Sequence, residues 1–210
     1  VTGVEPQSRE EIAGRGWGGL YRSSSSRRAI ATLGRELRLI WLRALRYRGD
    51  PSKLLRALGV RVGEDCVIET HYRNFGAQPW LIELGDRVLI AQDALFLTHD
   101  GSNLLFRHRY SDSPWGNRFG PIKVHDRSFI GARAIVLPDS EIGPDSIVGA
   151  GSVVTGRIPP GTVWAGVPAR QLCTRAEFEA RYQAKMVPAK ARTLAELRAE
   201  LTRYFFGEPR

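Results

Sequence analysis

The sequence predicts a mainly β protein, a parallel β-helix of six-residue repeats with α-helical extensions at both ends. Two observations carry this. From Val124 the chain reads VHDRSF, IGARAI, VLPDSE, IGPDSI, VGAGSV and VTGRIP without a gap. On either side, the periodicity changes to the spacing of helices. The first hexad positions, Val124, Ile130, Val136, Ile142, Val148 and Val154, are all β-branched, and the fifth positions are small except for Ile158. A repeat this short is the mark of a solenoid, in which each unit buries its apolar side only by stacking on the next.

In a β-helix one large aliphatic residue points inward per face. A small residue with a glycine or aspartate makes each corner, and the third and fourth positions face solvent or the turn. An ordinary series of amphipathic strands also reads IGxxSI, but not in uninterrupted copies. An earlier block reads LGDRVL, IAQDAL and FLTHDG from Leu84, and VGEDCV from Val62 is an isolated copy. The generic rule for parallel crossovers predicts right-handed winding.

Before the repeats, Ile30, Leu33, Leu37, Ile40, Trp41, Ala44 and Leu45 recur at the spacing of one helix face with arginines between them, giving a basic amphipathic helix. Asp50-Pro51 and Gly59 then bracket a short second helix as N-cap, first-turn proline and C-terminal glycine. Ahead of both, Gly14–Gly19 and Ser23–Ser26 read as a flexible leader. After the repeats, Thr174 with Glu177 and Thr193 with Glu196 match the capping-box spacing, so two helices broken near Pro188 are expected. The expected organisation is a leader over 1–28, basic helices over 29–59, the β-helix over 60–171 with a loop at 100–121, and helices over 172–210.

The formal charge of +9 over 210 residues invites a nucleic-acid reading until it is divided by segment. Residues 1–60 carry net +7, residues 61–170 net −1 and residues 171–210 net +3. The repeats are therefore near neutral, and the basic flanks lack the aromatic platforms and motif of a nucleic-acid reader. Their helical arginines suit packing on the end of the β-helix or contact with an anionic membrane face. No run of eighteen apolar residues is present, which excludes a transmembrane helix, and Val1–Gly19 shows no apolar signal region. Cys66 and Cys173 give no disulfide framework, so a reduced, cytoplasmic setting is expected.

The hexads, the segment FLTHDGS and the closing IPPGTVWAGVPAR together resemble the hexapeptide-repeat acyltransferases over about residues 50–180. The resemblance is to the maltose and galactoside O-acetyltransferase branch, and within it to acetyltransferases of polysaccharide biosynthesis. It implies a left-handed β-helix, a homotrimer with active sites between subunits, and acetyl-CoA as co-substrate with no metal required.

Acyl transfer from a thioester needs a base at the acceptor, donors for the oxyanion and a groove for the carrier. His99 suits the base, because it closes the last hexad before the repeat breaks at Asp100–Pro121. Imidazole ordinarily titrates near neutrality, and the family's catalytic histidine falls at this point. The alternative for His99 is a turn residue in Thr98-His99-Asp100-Gly101. His71, His108 and His125 have no such placement. A three-histidine zinc site is not supported, since His99 and His108 are nine residues apart where related zinc enzymes have five. No phosphate-binding loop or dinucleotide motif is present.

The resemblance further implies that Ala132, Ala150, Thr155 and Gly156 contact acetyl-CoA, that Arg170 meets its phosphates, and that Phe129 stands where the branch commonly has tryptophan. Cys173 departs from a second basic position. Asn74 falls near the family's acceptor-binding asparagine, although its spacing to Leu84 differs. The excursion holds Phe106, Tyr110, Trp115 and Phe119, which either stack on a sugar, with Trp115 the candidate, or form a trimer-packing arm. The expected activity is O-acetyl transfer to the hydroxyl of a sugar or glycoside. An N-acyltransferase on an amino sugar and an inactive binding scaffold remain as alternatives.

Overall fold

A computed structural model describes residues 50–102, 118–187 and 190–207. The chain divides into two compact units, 1–50 and 51–210. The leader, the basic helix predicted over Ala29–Arg48 and most of the excursion, including His108 and Trp115, lie outside the described residues.

Helix α1 (Pro51–Ala57) buries Leu54 and Leu55. Gly59, at φ 97°, turns the chain out of it, and the Val60 N–H returns to the Leu55 carbonyl at 3.0 Å. Short strands then follow: β1 (Arg61–Val62), β2 (Val67–Ile68), β3 (Ile82–Leu84), β4 (Leu89–Ile90), β5 (Leu95–Phe96), β6 (His99–Asp100), β7 (Arg118–Phe119) and β8 (Ile122–Val124). The series continues as β9 (Phe129–Ile130), β10 (Ile135–Val136), β11 (Glu141–Ile142), β12 (Ile147–Val148), β13 (Val153–Val154), β14 (Arg157–Ile158), β15 (Thr162–Ala165) and β16 (Arg170–Thr174).

They stack into three parallel faces: sheet A, β1-β3-β8-β11-β14; sheet B, β2-β4-β9-β12-β15; and sheet C, β5-β10-β13. Strand β16 joins sheet B antiparallel to β15, and β6 pairs antiparallel with β7 as the stem of the excursion. Every first hexad position from Leu84 to Val154 is buried in one continuous core, and Val62 packs against it half-buried. The serines at the fifth position are buried too, and their hydroxyls are used: Ser128 donates to the Gly143 carbonyl and Ser146 to the Pro159 carbonyl, both at 2.8 Å.

Partners on successive coils are eighteen residues apart through the repeat, as in Val124 with Ile142 and Val136 with Val154. The last coil departs from this. Ile142 pairs with Ile158 and Val148 with Trp164, sixteen residues apart. VTGRIP is therefore not a full hexad: Ile158 comes inward four residues after Val154, at a corner tightened through Thr155-Gly156.

The fourth hexad position adopts the left-handed conformation throughout the regular coils. Asp65, Arg87, Asp93, Arg127, Arg133, Asp139 and Asp145 have φ between 54° and 63°, and Gly151 has 68°. The glycine at the second position serves a different purpose. A Cβ on Gly131 would sit 2.5 Å from the Ala150 nitrogen of the next coil, so contact between coils, not torsion, requires glycine there.

The outer faces differ sharply. Sheet A presents Arg61, Glu83, Lys123, Glu141 and Arg157 in register, alternating in sign. Sheet B presents Val67, Leu89, Phe129 and Ile147, and sheet C presents Leu95, Ile135 and Val153.

Helices α2 (Arg175–Gln183) and α3 (Leu194–Phe206) each begin on a complete capping box, from Thr174 with Glu177 and from Thr193 with Glu196. Arg175 ties α2 to the β-helix through Asp145, which also holds Arg127 in a two-point pair. Among the described residues no helix is long and apolar enough to cross a membrane.

Candidate active site

Of the predicted residues, His99, Thr155, Gly156, Ala132 and Ala150 fall on the two corners that flank sheet C. Where sheet C turns into sheet A, Leu97, Leu137 and Thr155 follow their strands in register, since the Leu97 N–H bonds to the Val136 carbonyl and the Leu137 N–H to the Val154 carbonyl. These side chains line a cleft of about 560 Å³ with His99, Asp100, Gly101, Arg118 and Pro138. His99 and Thr155 are thus brought together although they are two coils apart. Gly156 extends this corner, and nothing lies within 4 Å of where its Cβ would be, so its backbone is approachable.

The backbone that carries His99 is held from both sides. Thr98 is fully buried, its hydroxyl bonds to the Gln78 side-chain oxygen at 3.0 Å, and its carbonyl accepts from the Gly120 N–H at 3.0 Å. Asp100 accepts from the Ser102 N–H at 2.8 Å, and this bond, then the Ser102 hydroxyl and the Arg118 and His99 charges, hold its carboxyl below the usual range. A carboxylate therefore stands next to the imidazole. Arg118 reaches Asp139 on the coil below at 3.4 Å.

The second corner, from sheet B into sheet C, carries Ala132 and Ala150 on neighbouring coils. The Gly151 N–H bonds to the Ala132 carbonyl at 2.8 Å, which stacks the two small residues. Below them Gly166 donates to the Ser152 hydroxyl at 3.2 Å. Arg170 opposes Ala165 in the β15–β16 ladder and is exposed. Among the described residues no carboxylate pairs with its guanidinium, which bonds only to the Ala169 carbonyl at 3.0 Å. This corner therefore carries small side chains on two coils, and the exposed Arg170 stands on the strand that closes sheet B.

Phe129 is not in the His99 cleft. It faces outward on sheet B, three residues before Ala132, and lines a groove of about 690 Å³ under α2 with Ile147, Phe178, Tyr182 and Met186. Alternation along the strand decides this: Ile130 takes the inward position, so Phe129 must point out. Asn74 sits in a 3-10 turn over Tyr72–Phe75, one coil above β5, where Phe75 stacks on Phe96 at 4.9 Å. Its amide donates to the Thr70 hydroxyl at 2.8 Å, and Asn74 does not line the His99 cleft.

The remaining described histidines have local partners. His71 caps the same turn by accepting from the Arg73 N–H, and His125 bonds Glu141 at 2.8 Å on sheet A. Among the described residues no three metal-ligating side chains converge. Arg118, Leu137 and Pro138 were not legible as cleft residues, because Arg118 belongs to the aperiodic excursion and the other two read only as corner positions.

Residues 121–156 match the family described as bacterial transferase hexapeptide (six repeats). Protein CapG of Staphylococcus aureus is 34% identical over 146 residues, spanning 69% of this chain and 83% of CapG. Galactoside O-acetyltransferase of Escherichia coli is 34% identical over 57% of this chain and 66% of its own length. The crystal structure of a hexapeptide-repeat-containing acetyltransferase from Vibrio cholerae matches with a TM-score of 0.50 at 25% identity, covering 72% of this chain and 94% of that one. Repeats, corners and relatives agree: the chain belongs to the hexapeptide-repeat acyltransferases and folds as their left-handed β-helix.

Proposed function

We propose that this acyltransferase uses acetyl-CoA to acetylate a hydroxyl of a sugar or glycoside, with His99 as the base. The observation that carries the reading is the cleft that His99 and Thr155 line together at one end of sheet C, and in this reading Ala132, Ala150 and Arg170 form the donor channel at the other. In this reading Arg170 meets the phosphates, the small residues admit the pantetheine arm, and Gly156 leaves the backbone approachable, while Phe129, which borders the groove under α2, takes no part. His99 removes the acceptor proton as the oxygen attacks the thioester carbonyl, and returns it to the departing thiolate. A backbone amide at the Thr155-Gly156 corner suits the oxyanion.

The two halves lie on different corners of one chain. A homotrimer, in which the channel corner of one copy faces the His99 corner of the next, completes the site. The apolar outer faces of sheets B and C and the charged face of sheet A favour that arrangement, with sheet A left to water. Asn74, one coil above β5, is the acceptor contact in this reading.

The test is turnover of acetyl-CoA against a panel of sugars and amino sugars, with product mass and hydroxylamine lability separating ester from amide. Ester formation supports the proposal. Amide formation alone replaces it with N-acyl transfer, and failure to bind coenzyme A in a calorimeter replaces it with a binding scaffold.

A further inference from the structure

Among the described residues no hydrogen bond orients the His99 imidazole. Among the described residues its one ring contact is Phe119, at 6.1 Å between centroids and 47° between planes, within the range of interacting aromatic pairs. The two residues are direct partners across the stem of the excursion, with Asp100 opposite Arg118 beside them. Both stem backbones are pinned. On the His99 side, Thr98 is buried against Gln78. On the Phe119 side, Gly120 bonds Thr98 and presses so closely on Asp139 that a Cβ there would come within 2.4 Å of its carboxylate. With both backbones fixed, the two side chains meet as a tilted ring pair. Phe119 is 47% exposed, so core burial does not account for a large apolar ring at this point.

We propose that Phe119 is a positioning residue for the base: its ring confines the His99 imidazole to the face of the cleft and presents π density to the imidazolium formed when the acceptor proton is taken. The proposal rests on the reading of His99 as base. It also gives the excursion a part in catalysis, because the strand that returns the loop to the β-helix delivers this ring.

The test compares Phe119→Leu and Phe119→Tyr with the wild type in the full-length protein, reading steady-state kinetics and the carbon–proton spectrum of the histidine rings, with His99→Ala identifying the His99 signals. Phe119→Leu is expected to lower kcat about 3- to 10-fold with both KM values within about twofold, as loss of one aromatic pair would give. The His99 ring signals should move as the ring current is lost, and Phe119→Tyr should restore both readouts. Wild-type kcat in Phe119→Leu, a loss confined to KM, or no rescue by tyrosine overturns the proposal. If His99→Ala turns over normally, the base reading falls and takes the proposal with it. If His99→Ala is inactive while Phe119→Leu is fully active, only the proposal falls.

Discussion

The two corners that flank sheet C obey one six-residue rule and end in different chemistry. Both place a buried aliphatic residue before the turn and a small buried residue after it. At the corner from sheet B into sheet C, the intervening residues are Gly131-Ala132-Arg133 and Gly149-Ala150-Gly151, and the outward side chains at its centre are small. At the corner from sheet C into sheet A, they are Leu137-Pro138-Asp139 and, above these, the break at His99, and the result is a walled cleft. The inward positions specify the fold and are interchangeable between corners. The outward ones are not, and in the proposed reading they distinguish a place to hold a donor from a place to react it.

The comparison is broken most severely by His99→Ala, which should reduce turnover about 100- to 10,000-fold while the calorimetric affinity for acetyl-CoA stays within about twofold. At the other corner the effects should fall on the donor instead. Arg170→Ala should raise the KM for acetyl-CoA about tenfold or more, as expected for lost charge-assisted bonds, and lysine should restore it only in part. Ala150→Leu should block the channel, raising the same KM with little change in thermal midpoint, because Ala150 is exposed.

The third corner, from sheet A into sheet B, serves as the control. Asp145 there is held below the usual carboxylate range, first by its hydrogen bonds from Arg127 and then by the Arg127 and Arg175 charges. A carboxyl depressed in the folded state contributes stability that is fully present above its unfolded value, about 3.9, and is lost as pH falls through the folded value. The melting midpoint should therefore drop below about pH 4, and Asp145→Asn should flatten that limb while lowering the midpoint at neutral pH. The smallest effect is expected from Arg87→Gly. Relief of a left-handed arginine, partly offset by glycine's larger unfolded entropy, should stabilise by about 0.5–1 kcal/mol with no change in either KM.

The inward ladder was legible because every coil asks the same question of its first position, and Val124, Ile130, Val136, Ile142, Val148 and Val154 give one kind of answer. The sixth hexad was misread for the same reason: Val154 and Ile158 are both aliphatic, and hydrophobicity alone does not separate a four-residue step from a six-residue one. The left-handed fourth position was hidden because Asp and Arg there look like ordinary surface polarity. His99 could be found from the point where the repeat fails. Arg118 could not, since it lies in a segment with no period, and Phe119 was visible only as one aromatic among four. Phe129 shows the converse limit: its similarity to a family position says nothing of which groove it borders until its neighbour Ile130 takes the inside.

The shortened last coil has a consequence for how the molecule ends. A β-helix with free strand edges would be a template for adding strands from other chains. Here each lower edge is terminated in its own way. Sheet B is closed by β16, which runs antiparallel and offers no continuation of the parallel stack. Sheet C is capped where the Val153 N–H bonds to the Gly166 carbonyl and the Ala169 N–H to the Val153 carbonyl. Sheet A runs into Pro159 and Pro160, which have no amide hydrogen to give. The strand that carries Arg170 is thus also the one that closes the lower edge of sheet B to further parallel strands.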